Sequence, residues 1–223
     1  MYDSLTEVIK KQLPKNPNIL KKRYYFNSAV LIPLILVDGE YHLLFELRAM
    51  GIHQEGEICF PGGRFEKEKD KGFFDTAIRE TVEELGIKVN EIEVLGQLDT
   101  LITPYGVTVD SFPAIIYCDI NNIINYDRKE VAEVFTVPLS FFMNNKPSVY
   151  KVNVKITPFA EDENGKRIEL LPVNEIGLPE RYNNTWHSQK HPVIVYKYGK
   201  YVIWGITANL IEELVYLINS FEC

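Results

Sequence analysis

Three glutamates, Glu80, Glu83 and Glu84, fall at i, i+3 and i+4 of one helical stretch, with Arg79 just before them. Like charges spaced this way repel, each i, i+4 pair costing roughly 0.2–0.5 kcal/mol. A solvated acidic face is the ordinary origin of such a cluster. Two neighbours argue for chemistry instead. Arg79 stands one turn before Glu83 and can orient that carboxylate or the loop beneath it. Gly62 and Gly63 lie upstream in Phe60-Pro61-Gly62-Gly63-Arg64, a turn where backbone can come close to a phosphate. Oxygen-only donor sets suit hard divalent cations such as Mg²⁺ or Mn²⁺, which also bridge phosphates.

These residues need a frame. At about 100° per residue, Phe74, Ile78, Thr81, Val82 and Leu85 make one largely apolar stripe. That predicts a helix with the stripe inward, the three glutamates outward and Gly86 as a left-handed C-cap. Upstream, the apolar run Ala29 to Val37 reads as a central strand. Asp38-Gly39 turns it into a second strand, Tyr41 to Leu47, which delivers Arg48. Residues 49–57 form a loop, and 58–60 are strand-like. Downstream, residues 91–101 and 107–119 read as strands, the second broken near Pro113. Val137-Pro138-Leu139 opens a short helix through Met143. Residues 149–157 and 167–171 read as a hairpin around Asp162-Glu163-Asn164-Gly165, and 172–190 as irregular. Val193 to Tyr198 and Tyr201 to Trp204 form another hairpin, at Gly199-Lys200. Thr207 is the expected cap of a last helix facing Leu210, Ile211, Leu214, Leu217, Ile218 and Phe221 inward. At the other end Ser4 and Glu7 form a capping-box pattern. That helix carries Leu5, Val8, Ile9 and Leu13 on one face, to be packed on the core. Strands joined mostly by hairpins, with a few helices, define an α+β class. The expected organisation is a single domain over 1–223, with an N-terminal capping helix (about 4–13) and a C-terminal hairpin-helix extension (about 149–223).

Composition narrows the function classes. With 46% hydrophobic and 25% charged residues, the 223-residue chain reads as an ordinary globular protein with a sizeable core. Its net charge of −7 argues against a non-specific nucleic-acid or anionic-membrane partner. Anionic substrates would then need a metal to supply attraction. Cys59, Cys118 and Cys223 are odd in number and unpatterned, which points to a reducing compartment, read as cytoplasmic. Cys59 sits in a strand-like triplet and reads as a packing residue, not a nucleophile. The longest apolar run, Ala29 to Val37, is far short of a membrane span. His187 and His191 are i, i+4, but their surroundings are not helical, so they are not read as a metal pair.

Gly63 to Ile87 resembles the signature of the Nudix hydrolases, Gly-x5-Glu-x7-Arg-Glu-U-x-Glu-Glu-x-Gly-U with U aliphatic. Arg79, Glu80, Glu83, Glu84, Gly86 and Ile87 match. The loop after Gly63 is two residues longer than the pattern, which leaves Glu66, Glu68 and Asp70 as candidates for its loop carboxylate. Thr81 replaces an aliphatic residue. The resemblance implies a mixed sheet sandwiched between helices (an α/β/α arrangement) with a signature loop-helix-loop. It also implies divalent-metal-dependent hydrolysis of a diphosphate. The expected metal ligands are Glu80, Glu83 and Glu84; Arg79, Glu80 and Glu83 belong to the catalytic set. The general base is open between Glu80 and a carboxylate outside the signature, such as Glu130 or Glu133.

Leu44-Phe45-Glu46-Leu47-Arg48, followed by Gly56 through Gly63, resembles the segment preceding the signature in coenzyme A diphosphatases. The stretches 130–139 and 203–208 are similar to that branch too. The resemblance implies cleavage of coenzyme A to phosphopantetheine and adenosine 3′,5′-bisphosphate, with Arg48, Gly62 and Gly63 on the substrate. Ala49 stands where the branch often has Ser, and residues 49–57 contain no Lys or Arg, so recognition of the 3′-phosphate falls to another group or is lost. The other readings are a Nudix diphosphatase for ADP-ribose or dinucleotides, and a non-catalytic Nudix ligand-binding module. A homodimer is a further expectation.

Overall fold

The computed structural model describes residues 2–16, 18–123 and 125–221, and of residues 2–4 and 221 the backbone only. The chain opens with helix α1 (Tyr2–Gln12). Strands β1 (Phe26–Val37), β2 (Glu40–Arg48), β3 (Ile58–Cys59) and β4 (Gly62–Arg64) then lead to helix α2 (Phe73–Leu85). Next come β5 (Ile92–Val94), β6 (Leu101–Ile102), β7 (Val107–Ile116), β8 (Val131–Pro138) and helix α3 (Leu139–Asn144). The last third holds β9 (Ser148–Ile156), β10 (Phe159–Glu161), β11 (Arg167–Glu169), β12 (His187–Tyr198), β13 (Tyr201–Trp204) and helix α4 (Gly205–Phe221). No helix among the described residues is long and apolar enough to cross a membrane.

The main sheet is mixed. Its path is β3-β2-β1-β7-β5, with β4 added to β1, β6 to β7 and β8 to β2. β1 runs parallel to β7 and antiparallel to β2 and β4. Two prolines lie inside these central strands, where a missing N–H should break a ladder. Each sits where its strand changes partners. On β1, Leu31 donates its N–H to Pro61 O, while pairing with β2 begins at Leu34, so Pro33 falls at the seam. On β7, Pro113 lies between the β6 pairing that ends at Val109 and the β5 pairing that begins at Ala114. The expected break at Pro113 is therefore absent, and the strand runs through.

Side chains alternate across the sheet. Ala29, Leu31, Ile35 and Leu44 face α2, packing with Ala77, Leu85, Phe112 and Ala114. Ile32, Leu34, Leu43 and Phe45 face the other way, packing with Phe60, Phe135 and Phe142 and with Ile203, Ala208, Ile211 and Leu214 of β13 and α4. The sheet thus lies between helices, as the sandwich expectation has it. Thr207 does not cap α4, which starts at Gly205. Its hydroxyl donates instead to Ile58 O at 3.1 Å, tying α4 to β3.

Several local expectations need correction. The apolar stripe of α1 does not pack on the core: Leu5, Val8 and Ile9 are about half exposed. Residues 91–101 hold only β5 and the start of β6, because the segment between them bonds to β7 through single contacts from Leu95 and Leu98. β9 does not pair with β11. It pairs with β12 in a sheet of order β13-β12-β9, while β11 pairs with β10. β12 begins at His187, inside the stretch expected to be irregular. Leu217 of α4 is exposed, and the Phe221 side chain lies outside the described residues.

Candidate active site

Two glycines let α2 approach the sheet. Gly62 pairs with Val30 and Gly63 with Ala29 on β1. Gly62 has φ +152°, and a Cβ there would strike Ala29 O and Val30. Its N–H donates to Glu84 Oε2 at 2.9 Å. Gly63 has no positive φ; its constraint is steric, because a Cβ would run into the Glu80 carboxylate. Glu84 is accordingly buried, at 3% exposure, while Phe74 of the expected inner stripe is 48% exposed. The outward face predicted for all three glutamates holds for Glu83 and fails for Glu84, which the Gly62 N–H draws inward.

Arg79 ties the loop to the helix. Its Nε lies 2.8 Å from Asp70 Oδ1 and its Nη2 3.0 Å from Oδ2, a two-pronged contact. Its Nη1 reaches Glu80 Oε1 at 2.9 Å and Glu83 Oε2 at 3.2 Å. Asp70 also accepts from Glu66 N–H and the Thr76 hydroxyl, and these donors, Arg79 above all, hold its carboxyl well below the usual range. Of the three loop carboxylates, Asp70 is the one that meets Arg79; Glu66 pairs with Lys69 and Glu68 is exposed.

Glu80, Glu83 and Glu84 line a cavity of about 340 Å³ together with Asp127 and Glu130. The loop carrying the last two is pinned: Asp127 N–H donates to Glu84 O at 2.8 Å, and Ala49 N–H to Glu130 O at 2.9 Å. Glu133 is elsewhere, accepting from the Tyr201 hydroxyl at 2.6 Å and from Lys200. Burial, the Glu80 charge and the Glu130 charge push the Glu84 carboxyl up to about 8, against the pull of the Gly62 N–H. Glu80 is raised by burial, with Arg79 opposing. The His187 and His191 side chains belong to β12 and line no part of this cavity.

Sequence reasoning passed over Glu46. It follows Leu44 on the α2-facing side of β2 and is 1% exposed, and its Oε1 has no hydrogen-bond partner. Burial first, then Glu84, raises its carboxyl well above the usual value. The signal was present: a glutamate inside the apolar run Leu43-Leu44-Phe45-Glu46-Leu47. A bulge between Leu47 and Arg48 re-aims the next residue. Arg48 donates Nε to His53 O at 3.0 Å, which closes the 49–57 loop, and its charge also acts on Cys59. Burial and the nearby Glu46 and Glu84 push the Cys59 thiol up to about 12, so it is no nucleophile at neutral pH. Cys223 lies outside the described residues.

All donors around the cavity are oxygens, the set hard divalent cations prefer. Among the described residues no three such side chains converge on one point as they stand, and Arg79 engages Glu80 and Glu83. The concentration of carboxylates in the cavity nevertheless fits a divalent cation chemically, and the donorless Oε1 of Glu46 adds a buried oxygen on the sheet outside the cavity lining.

A family described as NUDIX domain matches residues 26–184. An uncharacterized Nudix hydrolase, NudL, of Photorhabdus laumondii is 29% identical over 203 residues, 91% of this chain and 90% of that protein. A peroxisomal coenzyme A diphosphatase of Mus musculus is 36% identical over 125 residues, 55% of this chain and 50% of that protein. Among solved structures, a Nudix hydrolase from M. smegmatis, RenU, has a TM-score of 0.44 at 20% identity. It covers 52% of this chain and 72% of that one.

Proposed function

The chain belongs to the Nudix hydrolases, and on that premise we propose that it cleaves the diphosphate linkage of coenzyme A or an acyl derivative. The products are phosphopantetheine and adenosine 3′,5′-bisphosphate. The observation that carries the diphosphatase chemistry is the carboxylate-lined cavity beside the glycine turn. The coenzyme A branch rests on the run from Leu44 to Gly63 and on the similarity to the mouse diphosphatase.

In this reading Glu80, Glu83 and Glu84 hold Mg²⁺ or Mn²⁺, with Glu130 lining the same cavity. When bound, such ions neutralise diphosphate oxygens and acidify a water. The chain's own residues do the rest. Gly62 and Gly63, expected as a turn but folded as the start of β4, leave that edge bare of side chains. Gly62 N–H fixes the rotamer of Glu84, and Arg79 positions Glu80 and Glu83 from the loop side. Arg48 supplies a cation for a substrate phosphate at the end of β2. Glu80 and Glu130 line the cavity, whereas Glu133 is engaged by Tyr201 and Lys200, which favours Glu80 or Glu130 over Glu133 as the base.

The test is hydrolysis of a panel of diphosphate compounds with Mg²⁺ and Mn²⁺, products identified by mass. Coenzyme A and short acyl esters should show higher kcat/KM than ADP-ribose or dinucleotides. Glu80→Gln and Glu84→Gln should each lower kcat at least ~100-fold in a folded protein. Undiminished turnover in excess chelator would sink the metal chemistry. A clear preference for ADP-ribose would overturn the substrate and leave the diphosphatase standing.

A further inference from the structure

Glu46 presents an unsolved charge problem. The side chain is 1% exposed, and Oε1 is bonded to nothing. A buried carboxylate without donors is strongly unfavourable and requires a counter-charge or a proton. The alternation of β2 shows where that partner must come from. Leu43 and Phe45 point into the core under α4, and Leu44 points into the core under α2. Glu46 is the next residue on the α2 side, so it stands on the sheet just beyond Leu44. Its cross-strand neighbour there is Cys59, two residues before Pro61 and the glycine turn. The charged groups that face it are Glu84 and Glu80 of α2, Glu130 of the loop before β8, and Arg48 at the end of its own strand. Arg48 is the only cation among them, and its guanidinium Nε is already given to His53 O. One arginine against four carboxylates leaves the group short of positive charge.

We propose that Glu46 is a cation-binding residue, contributed by the sheet, which with Glu84 forms an inner divalent-metal subsite beneath the carboxylates of α2. This rests on the reading that α2 holds divalent ions. Glu84 is placed for the purpose: the Gly62 N–H takes its Oε2, leaving the other oxygen to share an ion with Glu46. Hard divalent ions are bound through just such mixed sets of one or two carboxylates and water. The proposal also accounts for a glutamate in the middle of an apolar strand, where Gln or Leu would fill the same volume without a charge.

The experiment is Mn²⁺ binding, followed by paramagnetic resonance and calorimetry without substrate, on the wild-type chain, Glu46→Gln and Glu84→Gln. Thermal unfolding is recorded with and without metal. Glu46→Gln should shrink the rise in melting temperature that Mn²⁺ gives the wild-type chain. It should also weaken Mn²⁺ binding at least ~10-fold or remove one bound ion. Glu84→Gln should weaken the same binding. Unchanged Mn²⁺ affinity and stoichiometry in Glu46→Gln, with loss in Glu84→Gln, would overturn this proposal alone and mean that a proton compensates Glu46. Unchanged binding in both variants would overturn the metal reading of α2 as well. Should Glu46→Gln not fold, Glu46→Asp supplies the same comparison: it retains the charge but shortens its reach.

Discussion

A side chain on Gly63 and the carboxylate of Glu80 would occupy the same space. The helix that carries the acidic cluster is therefore seated against bare backbone, and the position of Glu80 depends on that bareness. Gly63→Val should displace Glu80 and abolish turnover, with a smaller effect on stability, because Gly63 itself needs no left-handed φ. Kinetics and thermal unfolding of the same preparation decide it; an active, well-folded variant would show that Glu80 has room to spare.

Asp70 gives a prediction about acid. Its carboxyl is held below the usual range by Arg79, with Glu66 N–H and Thr76 adding to the effect. A depressed folded value means stability that is full above the unfolded value of about 3.9 and lost as pH falls through the folded one. Asp70→Asn should destabilise the protein by about 1.5–3 kcal/mol near neutral pH, the range for hydrogen bonds to charged groups. The gap to wild type should close as pH drops below the ordinary carboxylate value. Denaturant titrations at several pH values would reveal a constant gap if the pair carried no charge effect.

Glu84 predicts the opposite slope. Its carboxyl is raised from 4.5 to about 8, so the folded state holds a proton that the unfolded state has released. Stability from this group is present below 4.5 and declines as pH rises toward about 8. The melting temperature of the metal-free protein should fall across that window. Glu84→Gln should flatten the decline, and Mn²⁺ should do so in wild type by displacing the proton. A flat wild-type profile without metal would refute the assignment.

Arg48 tests the substrate end. A charge-assisted contact to phosphate contributes roughly 1.5–3 kcal/mol, so Arg48→Ala should lower kcat/KM for coenzyme A by about 10- to 150-fold. Residues 49–57 hold no Lys or Arg; if recognition of the 3′-phosphate is lost with them, dephospho-coenzyme A should be cleaved as well as coenzyme A. A strong preference for the 3′-phosphorylated compound would show that a basic group elsewhere reads it.

The parts of this fold that were legible in the sequence are the local ones. The hairpin at Asp38-Gly39, the helix ending at Gly86 and the hairpin at Gly199-Lys200 all follow from turn chemistry and period. Pairings between distant segments did not follow. The partner of β9 is β12 rather than β11, since strand pattern names a face and not a neighbour. Proline at 113 reads as a break because sequence does not reveal that the strand changes partner there. In the site, helical angle put Glu84 outside; only the Gly62 N–H, twenty-two residues away, explains why it is inside. Asp70 is one of three candidate loop carboxylates in the sequence, and only the folded chain brings it against Arg79. Glu46 went unread because a charged residue in an apolar strand has no meaning until the wall it faces is known.

The bond from the Thr207 hydroxyl to Ile58 O joins residues 149 positions apart, four residues from the glycine turn. Phe60, next to that turn, packs in a core completed by Ile194, Ile203 and Ile211. During synthesis the stretch 58–85 therefore leaves the ribosome long before the layer that supports it. For that interval β2 and β3 present the apolar side that α4 will cover, the kind of waiting surface that chaperones recognise and that aggregates when it meets its like. Activity should accordingly appear late in biogenesis and in one step, when α4 settles under β3.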